Sequence, residues 1–195
     1  YNIAQIAMSD LSGISPDLNG QYTFERFNPV VGFTYKIFPE LMTFYAGYSE
    51  ANRAPTPLEL GCSNPLRPCL LEGFLVSDPP LNQVVARTKE VGLRGNFNNA
   101  GGRGDWKLGL FRTDSESDII QVASVLQGRG VFQNVPATRR QGVEAGVNYQ
   151  TGQYLVYANY AMVDATYQFT GLLASPNNPS ADANGDILVT PGKQI

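Results

Sequence analysis

Stretch after stretch of this chain alternates apolar and polar residues with a period of two, and charges sit in the polar set. Met42, Phe44, Ala46 and Tyr48 alternate with Thr43, Tyr45, Gly47 and Ser49. Val91, Leu93 and Phe97 alternate with Glu90, Gly92 and Arg94. Successive side chains of a strand point to opposite faces, so this period reads as β-structure. The polar parity holds Lys36, Glu90, Arg94, Lys107, Glu144 and Asn148. Charges in a dry core are very costly. Two solutions satisfy the pattern. A soluble sandwich turns the apolar face to a core, whereas a transmembrane barrel turns it to lipid and the charges to a wet lumen.

The connections separate the two. Strands are expected over residues 1–9, 22–37, 41–51, 83–97, 105–126, 131–150 and 153–169. The register of the first is open, because Ile3 and Ile6 fall out of phase. Short turns are expected at 38–40, 98–104 and 151–152, the last a two-residue hairpin. Long connections are expected at 10–20, 52–82 and 170–195, all rich in Pro, Gly and Asn. Antiparallel strands send alternate connections to opposite ends. One end therefore has tight turns and the other mostly long loops, with 127–130 a short exception, as in outer-membrane barrels.

The aromatic residues agree. On the apolar parity, Tyr35, Phe97, Trp106, Tyr149 and Tyr154 gather at the short-turn end, and Tyr48 and Tyr160 at the long-loop end. Two such levels read as interfacial girdles. Charged residues are only 16% of the chain, well below the ~25% of soluble domains. The net charge of -3 argues against a nucleic-acid partner, whose binders present a basic face. No apolar run approaches the ~20 residues of a membrane helix.

Local chemistry is sparse. The chain has no His, which excludes a Ser-His-Asp triad and His-based zinc, so neither a catalytic residue nor a metal site nor a cofactor is expected. Asp182-Ala-Asn-Gly-Asp186 starts like a calcium loop but has Ile187 and Lys193 where Gly and Glu are needed. Gly101–Gly104 lacks the following helix of a phosphate cradle and reads as a turn. Cys62 and Cys69, in a proline-marked loop, are expected to form a disulfide, with free thiols and half a metal site as alternatives. Strict alternation puts Arg112 outward beside Leu110. Either a bulge shifts the phase or Arg112 snorkels to the outer interface. Asp114, Glu116 and Asp118 read as a solvated acidic face, with a cation-binding rim as the alternative. Arg139 and Arg140 are expected at the outer interface.

About seven strands do not close a bacterial barrel, which needs an even number, and both ends look like cuts through a longer chain. The fold expected is therefore all-β: antiparallel transmembrane strands forming an incomplete piece of a larger barrel. Several motifs in order then carry a resemblance: Asn28-Pro-Val-Val-Gly-Phe-Thr-Tyr35, Tyr45-Ala-Gly-Tyr-Ser49, Arg53-Ala-Pro55-Thr56 with Glu59-Leu60, Lys89-Glu90-Val-Gly-Leu-Arg94, Leu110-Phe-Arg-Thr-Asp114 with Asp118-Ile-Ile120, Gln141-Gly-Val-Glu144, and Ala158–Ala165. Together they resemble the later barrel of TonB-dependent outer-membrane receptors, over nearly the whole chain.

The resemblance implies a barrel of about 22 strands with a plugged lumen. Residues 1–195 would be one part of that single domain, lacking the N-terminal plug and the final strands. It implies a bacterial outer-membrane location, lipid around the wall, and TonB as the energy-coupling partner in the full-length protein. The solute would be a scarce, bulky small molecule such as a ferric siderophore, cobalamin or a glycan, gripped by external loops 52–82 and 170–195. Arg53, Pro55, Glu59, Glu90, Arg94 and Glu144 would be motif positions of structural rather than catalytic weight, with Arg53 and Glu59 paired at the barrel mouth. Gln83-Val84 depart from the Pro-Glu pair often found there. The alternatives are a passive porin or adhesin barrel, or an outer-membrane hydrolase, which would need a base beside its nucleophile.

Overall fold

The computed structural model describes residues 1–11, 19–39, 41–61, 69–70, 81–123 and 129–195, with backbone alone at 69, 70 and 129. Both the Cys62–Cys69 pairing and most of the 62–80 loop lie outside the described residues. In chain order the elements are β1 (Asn2–Met8), β2 (Gly20–Arg26), β3 (Val30–Phe38), β4 (Met42–Arg53), α1 (Pro57–Leu60), β5 (Cys69–Leu70), β6 (Val84–Asn99), β7 (Gly102–Ala123), β8 (Arg129–Thr151), β9 (Tyr154–Tyr167), β10 (Gly171–Ala174) and β11 (Asp186–Val189).

A seven-stranded sheet dominates, with β3, β4, β6, β7 and β8 in order and both β9 and β5 paired to β8. Its pairs are all antiparallel. The sheet does not close: β3 and β9 carry its open edges, and the large side chains on both faces of these strands, such as Val30, Phe33, Leu155 and Val156, are exposed. It is an incomplete piece of a barrel. No helix among the described residues is long and apolar enough to cross a membrane.

Several expectations need correction. Residues 22–37 do not form one strand. Pro29 has no N–H to donate, and the chain divides at Phe27-Asn28-Pro29 into β2, which among the described residues pairs only with β1, and β3, which pairs with β4. The β1–β2 ladder aligns Asn2 with Arg26 and Met8 with Gly20, which fixes the register left open for the first strand. Residues 170–195 are not a plain loop. β10 and β11 form a hairpin, and Gln194 then bridges Thr166 on the open edge of β9. The 98–104 turn shrinks to Ala100-Gly101, between Asn99 and Gly102, which pair with each other. The last hairpin turns at Gly152-Gln153, one residue later than expected; Thr151 pairs with Tyr154 and Gly152 has φ 54°. A two-residue hairpin needs such a positive φ, and glycine adopts it without a Cβ clash.

Arg112 is in phase. The β6–β7 ladder runs unbroken from Val85–Glu116 to Asn99–Gly102, so no bulge separates Arg112 from Leu110. The irregularity lies at Ser117, with φ 52°, opposite the stretch around Pro136, where the β7–β8 ladder skips one pair.

Candidate functional site

The long-loop end is held by three local devices. The first is α1, a single turn. Thr56 accepts from Glu59 N at 3.2 Å and Glu59 accepts from Thr56 N at 2.7 Å, so each end satisfies the other's orphan donor. Pro57 occupies the first helical position, where a missing N–H costs nothing. Arg53, at the end of β4, donates to the same Glu59 carboxylate at 2.7 Å. Pro55 is fully buried and Leu60 nearly so. Burial raises the Glu59 carboxyl, but the Arg53 guanidinium and the Thr56 N–H outweigh it, and the net direction is below the ordinary carboxylate range.

The second device is Asn52, which sequence reasoning missed. Its Oδ1 accepts from Asn2 at 3.0 Å and from Asn28 at 2.7 Å, and its Nδ2 donates to Gln83 at 2.7 Å. Gln83 in turn donates to the Glu25 carbonyl at 3.1 Å. One amide thus joins the β1–β2 hairpin, the break before β3, β4 and the entry to β6. The departure at Gln83 from the family pattern is a working part of this junction.

The third device is apolar. Leu60, Leu81, Val84 and Ile119 form a buried cluster against Ile6, Met8, Tyr22 and Phe132. A second cluster, Val122, Val131, Val135, Leu173 and Val189, seats the β10–β11 hairpin on the upper parts of β7 and β8. Asp182 organises the hairpin's tip, where its Oδ1 accepts from Asn184 N at 2.8 Å and Asp186 N at 3.0 Å. Those backbone N–H groups hold its carboxyl below its usual range. The Asp182–Asp186 segment is a self-capped turn.

Across the sheet the two faces differ. On the polar face Tyr45 lies over Gly92 and Gly109. A Cβ on Gly92 would run into its ring, and one on Gly109 would come within 2.8 Å of its hydroxyl. The Arg94 guanidinium stands 5.7 Å from that ring's centroid, and Glu90 interacts with the Tyr45 hydroxyl. Lys107 and Glu144 approach to 4.0 Å. Glu90, Arg94 and Glu144 thus share one wall, centred on an aromatic that sequence reasoning had placed on this face without a role.

On the apolar face, one row of paired residues runs Tyr35, Phe44, Leu93, Leu108, Ala145, Tyr160. Tyr35 belongs to the short-turn set of aromatics and Tyr160 to the long-loop set, yet they share a row. Strand tilt accounts for this. From Tyr160 back to Tyr154 the short-turn set drifts six residues over five strand steps. The row of Tyr48 reaches β9 at Asp164, so the long-loop set drifts four residues, to Tyr160, over four steps. With ~3.4 Å per residue and ~4.8 Å between strands, such drifts hold rings level on strands inclined by about 35–40°. Transmembrane barrels incline theirs by about 35–45°. Phe97 and Tyr149 stack at 5.8 Å with planes 14° apart across Gly104, which lies between them in the row. Trp106 is two residues along β7 from that glycine.

Above this band the apolar face becomes ionic. Arg26 meets Glu50 at 2.6 Å, and Arg87 meets both Glu50, at 3.5 Å, and Glu116. Asp114 is shared by Arg112 at 3.0 Å and Arg139 at 2.6 Å. Asp118 is buried and accepts from Thr138 at 2.5 Å and Arg140 at 3.0 Å. The expected solvated acidic face is therefore a set of ion pairs, and Arg139 and Arg140 are engaged in it. Alternation also fails at its last member: past Ser117, Asp118 reaches residues of the parity opposite to the Ala137 that faces Glu116. Among the described residues no group of three His, Cys, Asp or Glu side chains is arranged to hold a metal.

The family model described as TonB dependent receptor-like, beta-barrel, matches residues 9–191. The chain belongs to that family: it is β-barrel wall of the outer-membrane receptors and transporters that work with TonB. No curated protein matches it.

Proposed function

We propose that the full-length protein imports a scarce, bulky solute of the ferric siderophore kind, drawing its energy through TonB and gating through an N-terminal plug. The external segments 52–82 and 170–195 grip the ligand, and the polar face with Tyr45, Glu90, Arg94 and Glu144 lines the passage. No catalytic step is assigned to it. The observation that carries this reading is the construction of the long-loop end. A passive pore needs only connecting loops there. This chain instead places a capped helical turn, an amide junction and a seated hairpin at its mouth, each fixed by its own contacts. Such pre-organisation lowers the ordering cost of binding a large ligand.

Uptake in cells carrying the full-length receptor tests this. Labelled ferric chelates, cobalamin and an oligosaccharide are offered in turn, with and without a protonophore. One class is expected to accumulate only in energised cells while surface binding survives the protonophore. Energy-independent equilibration of small solutes would instead identify a passive porin and overturn the proposal.

A further inference from the structure

We propose that Lys89 and Arg112 form a docking site for the phosphate of an outer-leaflet lipid headgroup. The inference rests on the outward assignment of the apolar face made above.

The two residues are direct partners across β6 and β7. Like charges set opposite one another in a ladder destabilise it unless something neutralises them. Lys89 is exposed and has no ion-pair partner among the described residues. Arg112 has only Asp114, and Arg139 draws on that same carboxylate at 2.6 Å. Lys89 is thus left unanswered, and Arg112 shares its one anion with Arg139. The neighbouring guanidiniums differ, since Arg26 and Arg87 are met by Glu50 and Glu116.

Position selects the ligand. Tyr48 faces Lys89 across β4 and β6, and Tyr48 belongs to the long-loop set of aromatic rings. Such rings sit at headgroup level. One pair nearer the membrane, on the same face, Val91 opposes Leu110, and both are exposed. The cation pair thus stands where the apolar band ends, within reach of headgroups and beyond their acyl chains. A phosphate there would bridge the two side chains. Arg112 offers a planar fork and Lys89 a point charge, and both suit phosphate oxygens.

The test uses the full-length receptor, purified in mild detergent and titrated with mixed micelles containing a diphosphorylated glucosamine lipid. Lys89→Gln together with Arg112→Gln is expected to weaken lipid retention about tenfold, with unchanged heat-modifiable mobility on gels. Removing the lipid's phosphates should weaken wild-type retention equally, and inorganic phosphate should not compete. Unchanged retention in the double variant would overturn the site, as would competition by inorganic phosphate at concentrations comparable to the lipid's. Lys36→Gln, on the opposite face, separates the two levels of the argument. If Lys36→Gln releases lipid while the double variant retains it, the inside-outside assignment itself is wrong.

Discussion

Single residues at the long-loop end bear several contacts each. Glu59 closes the capping box and receives Arg53. Because its folded carboxyl titrates below the ordinary range, its contribution is fully present above the unfolded carboxylate value, near 4.3. That contribution is lost as pH falls through the folded value. The protection factors of the Leu60 and Gly61 amides, whose N–H groups bond Thr56 and Pro57, taken against the intrinsic exchange rate at each pH, should therefore fall in acid. Glu59→Gln should exchange faster at neutral pH, by about 1 kcal/mol of local stability, and lose most of the acid dependence. A wild-type protection factor that ignores acid would refute the role given to Glu59. The Arg53–Glu59 pairing could be foreseen because both residues are close in sequence and flank prolines. Asn52 could not, since its partners Asn2, Asn28 and Gln83 come from three distant segments and an amide carries no periodic signal.

Among the elements, the long strands were readable and the short ones were not. β6, β7 and β8 expose one wet face over many residues, so alternation has room to show. β10 and β11 have four residues each and are separated by a proline- and glycine-rich segment. Their stability comes from Leu173 and Val189 in a distant cluster, which no local pattern reveals. The division between β2 and β3 was visible as Pro29, but its consequence, two partners instead of one, depends on where neighbouring strands end. At Ser117 the signal was absent altogether, because serine has no special claim on positive φ. The faces themselves can be tested. Leu108→Arg, midway up the apolar face of β7, should cost about 2–4 kcal/mol and deplete the heat-modifiable folded form. Its neighbour Lys107→Gln, on the polar face, should stay within about 0.5 kcal/mol. Equal losses would refute the assignment of faces.

The whole sheet is a section of wall. Among the described residues, β3 and the part of β9 before Ala165 each leave one ladder unsatisfied, and backbone groups cannot stay unpaired in hydrocarbon, so these edges must be met by further strands. The protein extracted intact from outer membranes should therefore have a mass several times the 21.2 kDa of this chain. A native mass near 21.2 kDa would require these strands to close alone or by self-association, against the reading of a single larger barrel. The inclined rows carry a mechanical consequence. A line of hydrogen bonds that starts near one membrane surface at Tyr35 arrives near the other at Tyr160, so the ladders are wound around the wall like the thread of a screw. A pull along the barrel axis then has a component across the strands as well as along them. Covalent backbone bears the second, but inter-strand hydrogen bonds must bear the first. Traction applied on the periplasmic side would thus be felt partly as torsion, reaching the external rim a fraction of a turn away from where it began.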